Sequence, residues 1–127
     1  MEISTFKPAY LDYDVVSGYT LNAFLKEEYK NNKLVYTFKY VRLDHSPSYD
    51  YIVSQLINAT YSTVSVTAIT LNYLLTIHEE VLEPEKVKEY QQDYKELQEY
   101  RAACKAEAKR AIEYIKENQI GPAWKDL

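Results

Sequence analysis

The sequence predicts an α+β domain that ends in one long helix, and three observations carry that reading. Lys33 to Leu43 alternates apolar and polar side chains with the period of a strand. Ser46-Pro47 opens an apolar run at helical spacing. From Pro84 onward a charged, periodic stretch runs unbroken until Gly121-Pro122 closes it, which places a helix at about 84–119. The competing fold class is an all-α helical hairpin, with residues 47–82 as one helix folded back on 84–119.

Element by element, Tyr10 to Val16 reads as a strand at about 10–16. Thr20 then starts a helix at about 20–30, with Leu21, Phe24, Leu25 and Tyr29 on its inner stripe. Asn31-Asn32 supplies a turn. In the strand at 33–43, Leu34, Tyr36, Phe38, Tyr40 and Arg42 share one face, and Val35, Thr37, Lys39 and Val41 share the other. A helix at about 47–59 follows, with Ser46 as its N-cap, Asp50 in its first turn, and Ile52, Val53, Leu56 and Ile57 at helical spacing. From Tyr61 to Thr70 β-branched residues dominate, and Val64, Val66 and Ala68 alternate with Ser65 and Thr67, the pattern of a strand at 61–70. Thr70 caps a helix at 71–82 carrying Leu71, Leu74, Leu75, His78 and Leu82. Pro84 turns Glu83 away from helical geometry.

The last helix carries a seam. Val87, Tyr90, Tyr94, Leu97, Arg101, Cys104, Ala108, Ala111 and Ile115 recur at spacings of three and four, with small residues toward the C-terminal end. Such a seam serves either packing on the domain's own body or pairing with a second helix. About 36 residues at roughly 1.5 Å each make a rod of about 54 Å, whereas a domain of this size is roughly 36 Å across. The overhang predicts a homodimer or higher oligomer, with Tyr90, Tyr94, Leu97, Arg101, Cys104, Ala108, Ala111 and Ile115 as its interface.

Composition narrows the function. A chain of 127 residues with 46% apolar content fits one globular domain, residues 1–127. The single cysteine, Cys104, excludes an internal disulfide. A net charge of −4 argues against a general binder of nucleic acid or anionic membrane. Acidic and basic residues balance over 1–45 and again over 83–119, whereas 51–77 carries no charge at all. That uncharged run is long enough to cross a bilayer, but its many hydroxyl and amide side chains make a membrane span unfavourable. No secretory signal opens the chain, and a cytoplasmic location is expected.

Most catalytic classes fail on inventory. Gly18 and Gly121 are the only glycines, so no glycine-rich phosphate loop exists. One cysteine and two histidines fall short of the structural zinc sets, and neither metal nor cofactor is expected. Glu80 and Glu83 form half of a paired-carboxylate pattern, but Glu89 and Asp93 stand four apart instead of three. In Asp44-His45-Ser46, His45 could act as a general acid or base. Asp44 would not orient it, because adjacent strand residues point to opposite faces. Tyrosine is the compositional anomaly, at 14 residues against three phenylalanines. It offers rigid contact area with a hydroxyl, a preference of recognition surfaces. Tyr36, Tyr40 and Arg42, with His45 beyond them, form the candidate binding face. The predicted function is a non-enzymatic interaction protein that self-associates and presents tyrosine-rich surface to a protein partner. A lysine-, tyrosine- and isoleucine-rich composition suits a virus- or plasmid-encoded accessory or inhibitor protein. The alternatives are a nucleotide or single-stranded nucleic-acid binder using Tyr36, Tyr40 and Arg42, and a small hydrolase around His45.

Overall fold

The computed structural model describes residues 1–78, 80 and 83–127. It is an α+β arrangement of strands β1 (Glu2–Ser4), β2 (Leu11–Asp14), β3 (Gly18–Lys30) and β4 (Lys33–Leu43), then helices α1 (Tyr49–Asn58), α2 (Thr63–Ile77) and α3 (Pro84–Asn118). A short 3-10 turn at Ala123–Asp126 ends it. The strands form one antiparallel sheet in the order β1-β4-β3-β2. The all-α alternative is set aside by that sheet, although α2 does fold back along α3 as the hairpin reading required.

β4 spans the predicted strand at both ends. Its alternation is real: Val35, Thr37, Val41 and Leu43 are buried, while Leu34, Tyr40 and Arg42 are exposed on the other face. The turn at Asn31-Asn32 takes positive φ at both residues, 51° and 63°. Two-residue hairpins of the I′ type demand that, and asparagine tolerates it. β2 occupies the core of the strand predicted at 10–16, and α1 lies inside the helix predicted at 47–59. The α1 cap is Ser48, whose Oγ accepts the Tyr51 N–H at 3.3 Å, so the helix starts later than Ser46 would have set it. Pro47 is buried instead of opening the first turn.

Two predicted elements are wrong in kind. The helix predicted at 20–30 is β3. Tyr19, Leu21 and Ala23 are buried on alternate positions, and a bulge then shifts the register between Ala23 and Lys26. The extra residue places Phe24 and Leu25 three and four positions after Leu21, which imitates a helical stripe. The strand predicted at 61–70 lies almost wholly in α2. Ser62 Oγ accepts the Ser65 N–H at 3.0 Å and starts a helix. Thr67 and Thr70 donate their hydroxyls to the carbonyls of Thr63 and Val66, at 2.9 and 2.8 Å. The half-buried residues of α2, including Val66, Ile69, Tyr73 and Thr76, fall at helical spacing, a period the β-branched alternation concealed. The helix predicted at 71–82 is the second half of α2; its stretch at 79, 81 and 82 lies outside the described residues. His78 is the C-cap and is exposed, not packed inside.

All helical packing falls on one face of the sheet. Leu11, Tyr19, Leu21, Ala23, Val41 and Leu43 meet Ile52 and Leu56 of α1 and Cys104, Ala108, Ala111 and Ile115 of α3 in one cluster. The tail returns to it, because Tyr19 Oη donates to the Ile120 carbonyl at 2.9 Å and accepts the Ala123 N–H at 3.0 Å. Gly121, at φ 65°, lies where a Cβ would run into the Tyr19 ring.

One buried charge joins the layers. Glu107 of α3 is 6% exposed. Its Oε2 accepts the Phe24 N–H at 2.7 Å and the Tyr10 hydroxyl at 2.9 Å. Phe24 sits at φ 57°, a costly conformation for a bulky residue, and the bulge has removed its N–H from the ladder. The carboxylate satisfies that donor, and the two donors offset the penalty of burying the charge. The Arg110 guanidinium lies 4.6 Å from the Tyr10 ring centroid and 3.9 Å from Glu107 Oε1.

Burial, together with the Glu107 carboxylate, pushes the Tyr10 phenol well above its ordinary value. Burial likewise pushes Tyr100 up to about 12. A raised phenol pKa contributes stability that is whole below the unfolded value near 10 and is lost as pH rises beyond it. Stability measured by urea melts should therefore fall above pH 10. Tyr10→Phe should flatten that fall and cost about 1.5–3 kcal/mol at pH 7, the worth of a hydrogen bond to a charged group. An unchanged alkaline slope would remove Tyr10 from this account.

Candidate interaction surfaces

The face of the sheet turned away from the helices carries the candidate aromatic residues. Tyr36, Phe38, Tyr40 and Arg42 of β4 lie on it together with Leu34, as their alternation predicted. Cross-strand pairing adds Tyr29 opposite Leu34, Glu27 opposite Tyr36, Asn22 opposite Tyr40, and Glu2 opposite Phe38. Tyr40 is 51% and Tyr29 78% exposed. Among the described helices, α1 and α3 pack against the opposite face, and α2 packs on α3.

Its electrostatics differ from those of a nucleic-acid platform. Arg42 Nε pairs with Asp44 Oδ1 at 3.1 Å, so the cation beside the aromatic residues of this face is neutralised locally. Glu2 and Glu27 flank the aromatic row on its two sides, and the Glu2 carboxylate accepts the Tyr40 N–H at 3.1 Å. Lys33 and Lys39 alternate onto the other side of the sheet, as the strand period dictates. Lys39 Nζ donates there to Thr60 Oγ1 at 2.6 Å. Thr60 passes its hydroxyl to Tyr100 Oη, and Tyr100 donates to the Leu56 carbonyl.

His45 stands apart from Tyr36 and Tyr40. It lies past the end of β4 at a pocket of about 280 Å³, bordered by core-side residues that include Tyr19, Leu43 and Ala123. Its ring meets Tyr51 edge-on at 5.3 Å between centroids. Asp44 turns its carboxylate to Arg42 and donates its N–H to Tyr51 Oη at 2.9 Å. No hydrogen bond ties Asp44 to His45 among the described residues, so the imidazole lacks the carboxylate that would orient a general base. The described residues also bring no three histidine, cysteine, aspartate or glutamate side chains together to hold a metal.

The α3 seam is used within the chain. Leu97, Cys104, Ala108, Ala111 and Ile115 are fully buried in a single copy, so these members of the predicted oligomer interface are unavailable to a second one. The small residues near the C-terminal end admit α1 and the sheet at close range. Tyr94 stacks face to face on Tyr73 of α2 at 3.8 Å, and Arg101 borders a crevice with Ser54, Asn58 and Val66. Tyr90 is half-buried, with Lys86 Nζ 6.0 Å from its ring centroid. The predicted overhang is therefore lined by the chain's own α2. From Pro84 to Glu96 no residue of α3 is fully buried, and within the chain this stretch has α2 as its neighbour.

α2 is the surface that the sequence reading missed. Not one of its residues is fully buried, although it carries no charge between Thr63 and Ile77. Val64 is 78% and Leu71 56% exposed. An uncharged run read as a helix with an inner and an outer stripe would have exposed this excess of apolar surface; read as a strand, it did not. Among the described residues no helix is long and apolar enough to cross a membrane.

Burial raises the pKa of the Cys104 thiol and closes it off from solvent. A water-soluble disulfide reagent should leave the folded chain unmodified and react only on unfolding. Rapid stoichiometric reaction under native conditions would mean that the seam opens.

No family model, no curated protein and no solved structure matches this chain.

Proposed function

We propose that this chain is a non-enzymatic interaction protein that self-associates and binds a protein partner through the aromatic outer face of its sheet. One observation carries the reading: Tyr29, Leu34, Tyr36, Phe38 and Tyr40 form an apolar row on a sheet face that the chain's own helices leave open. Aromatic side chains in such a row supply large rigid contact area at low entropic cost, and tyrosine adds a hydrogen-bonding tip. The flanking Glu2 and Glu27 and the paired Arg42 favour a partner segment that is apolar with basic neighbours, and disfavour a phosphate backbone. His45 lies off this face, and its reading as a catalytic base gains no oriented partner.

The test is a paired capture. The wild-type chain and a Tyr36→Ser/Tyr40→Ser variant, matched in thermal melting, serve as baits in host extract. The reading expects one protein retained by the wild type and lost at least tenfold in the variant. Labelled single-stranded DNA at low salt should bind neither bait appreciably. Tight strand binding that the double variant abolishes would instead make this face a nucleic-acid platform.

A further inference from the structure

We propose that the cleft where α3 meets the β2 edge of the sheet binds a small aromatic carboxylate, held by Arg110 and Lys7 against the rings of Tyr10 and Tyr114. The inference goes beyond the protein-partner reading, because this cleft lies on the helix side of the sheet, apart from the aromatic outer row. Its volume is about 340 Å³, near the lower end of small-molecule sites and suited to a compound of one or two rings. Its walls come from both layers. Arg110 and Tyr114 stand one turn apart on α3, Leu25 belongs to the bulge of β3, and Lys7, Pro8 and Tyr10 lead the chain into β2. The segment that carries Lys7 and Pro8 is tied to β3: Asn22 Nδ2 donates to the Ala9 carbonyl at 2.7 Å, and the Asn22 N–H donates to the Tyr10 carbonyl at 2.8 Å. The cleft is thus formed in the free chain, which spares a ligand the cost of ordering it.

The chemistry of the walls selects the ligand. The Arg110 guanidinium sits 4.6 Å from the Tyr10 ring centroid, with its Nη1 3.9 Å from Glu107 Oε1. Both contacts orient the fork, yet neither is a hydrogen bond, since 3.9 Å lies beyond that range. The hydrogen bonds of Glu107 go to Tyr10 and Phe24 instead. The planar donors of Arg110 are left to take a carboxylate in two-pronged fashion. Lys7 is exposed and adds a second cation, with no ion pair among the described residues. Of the side chains lining the cleft only these two are ionised. Two cations less the Glu107 charge leave a surplus of one, which matches a monoanion better than a phosphate dianion. Pro8, Leu25 and the tyrosine rings make the remaining walls. Tyr114 meets Tyr10 edge-on at 5.1 Å between centroids, and a third flat ring adds to such a pair in offset or edge-on geometry. An anion without a ring would leave those walls in water, and a ring without a charge would gain nothing from the cations. The chain is acidic overall, at −4, so capture of an anion here depends on these local groups and not on the general field.

The experiment is a titration of the full chain followed by its amide chemical shifts, with benzoate, benzyl alcohol and inorganic phosphate as probes at neutral pH. Benzoate should saturate with a dissociation constant of about 1 mM or below, as its few atoms allow. The shifts should centre on Tyr10, Leu25 and Arg110. Benzyl alcohol keeps the ring without the charge, and phosphate keeps charge without the ring. Each should bind about tenfold more weakly or worse, the loss expected when a charge-assisted hydrogen bond or an apolar contact is missing. Lys7→Gln and Arg110→Gln should each weaken benzoate by about tenfold as well. Arg110 also packs on Tyr10, so Lys7→Gln, at an exposed and unpaired position, carries the test on an undisturbed fold. No saturable binding of benzoate up to about 20 mM, where even a weak site fills, would overturn the proposal. Affinity unchanged in both variants, or shifts confined to Tyr36 and Tyr40, would overturn it by placing the compound elsewhere. Phosphate bound as tightly as benzoate would make the cleft a general anion site, and benzyl alcohol bound as tightly would make it an apolar one; either result overturns the aromatic carboxylate.

Discussion

The Glu107 carboxylate on the inner side of α3 accepts the Phe24 N–H freed by the bulge in β3, together with the Tyr10 hydroxyl. Neither side of this contact is stable alone. A buried carboxylate without donors carries a penalty of several kcal/mol. A bulky residue at positive φ with an orphaned N–H carries a few more. Together they fix the height of α3 over the sheet, which sets which residues the helix can bury. Cys104, Ala108 and Ala111 then fill the cluster on the sheet's inner face, and Tyr100 reaches the Leu56 carbonyl.

With α3 committed to the sheet at its C-terminal half, the rest of the molecule follows from length. A helix of 35 residues extends about 52 Å, farther than the sheet can cover. α2 accompanies the remaining part, held by the Tyr73–Tyr94 stack. One helix cannot cover another on all sides, so the outer stripe of α2 stays open. The aromatic face of the sheet stays open for a different reason: the inner face has taken α1 and α3, and α2 packs on α3. Two exposed apolar surfaces of opposite construction result, one a helix without charge and one a sheet edged by carboxylates. Exposed apolar surface on this scale is a feature of interaction sites.

Much of the architecture could be read from residue order alone. β4, α1 and α3 announce themselves through one uninterrupted period each, bounded by turn or cap residues. β3 does not, because its bulge inserts a residue exactly where a period of two would have declared it, and Leu21, Phe24 and Leu25 then look helical. α2 fails in the opposite way: valine and threonine alternate over four or five positions, while the decisive signals are the Ser62 cap and hydroxyls that bond back along the helix. Both errors arise where local pattern and tertiary demand diverge. The same holds for the surfaces. Tyr36, Tyr40 and Arg42 were placed together by simple alternation, whereas the α3 seam could not reveal whether a second copy or the chain's own sheet fills it. Glu107 carries no signal of its own among the balanced charges of 83–119. Its spacing from Tyr100, Cys104, Ala111 and Tyr114 sets it on the inward side.

The most direct measurement of this account is amide hydrogen exchange at Phe24 in the native chain at neutral pH. If Glu107 holds that N–H, the Phe24 amide should exchange as slowly as the ladder amides of Leu21 and Val41, and should lose that protection in Glu107→Ala while the β3–β4 ladder retains its own. Fast exchange at Phe24 in the wild type, at the rate of the exposed loop around Val15, would contradict it.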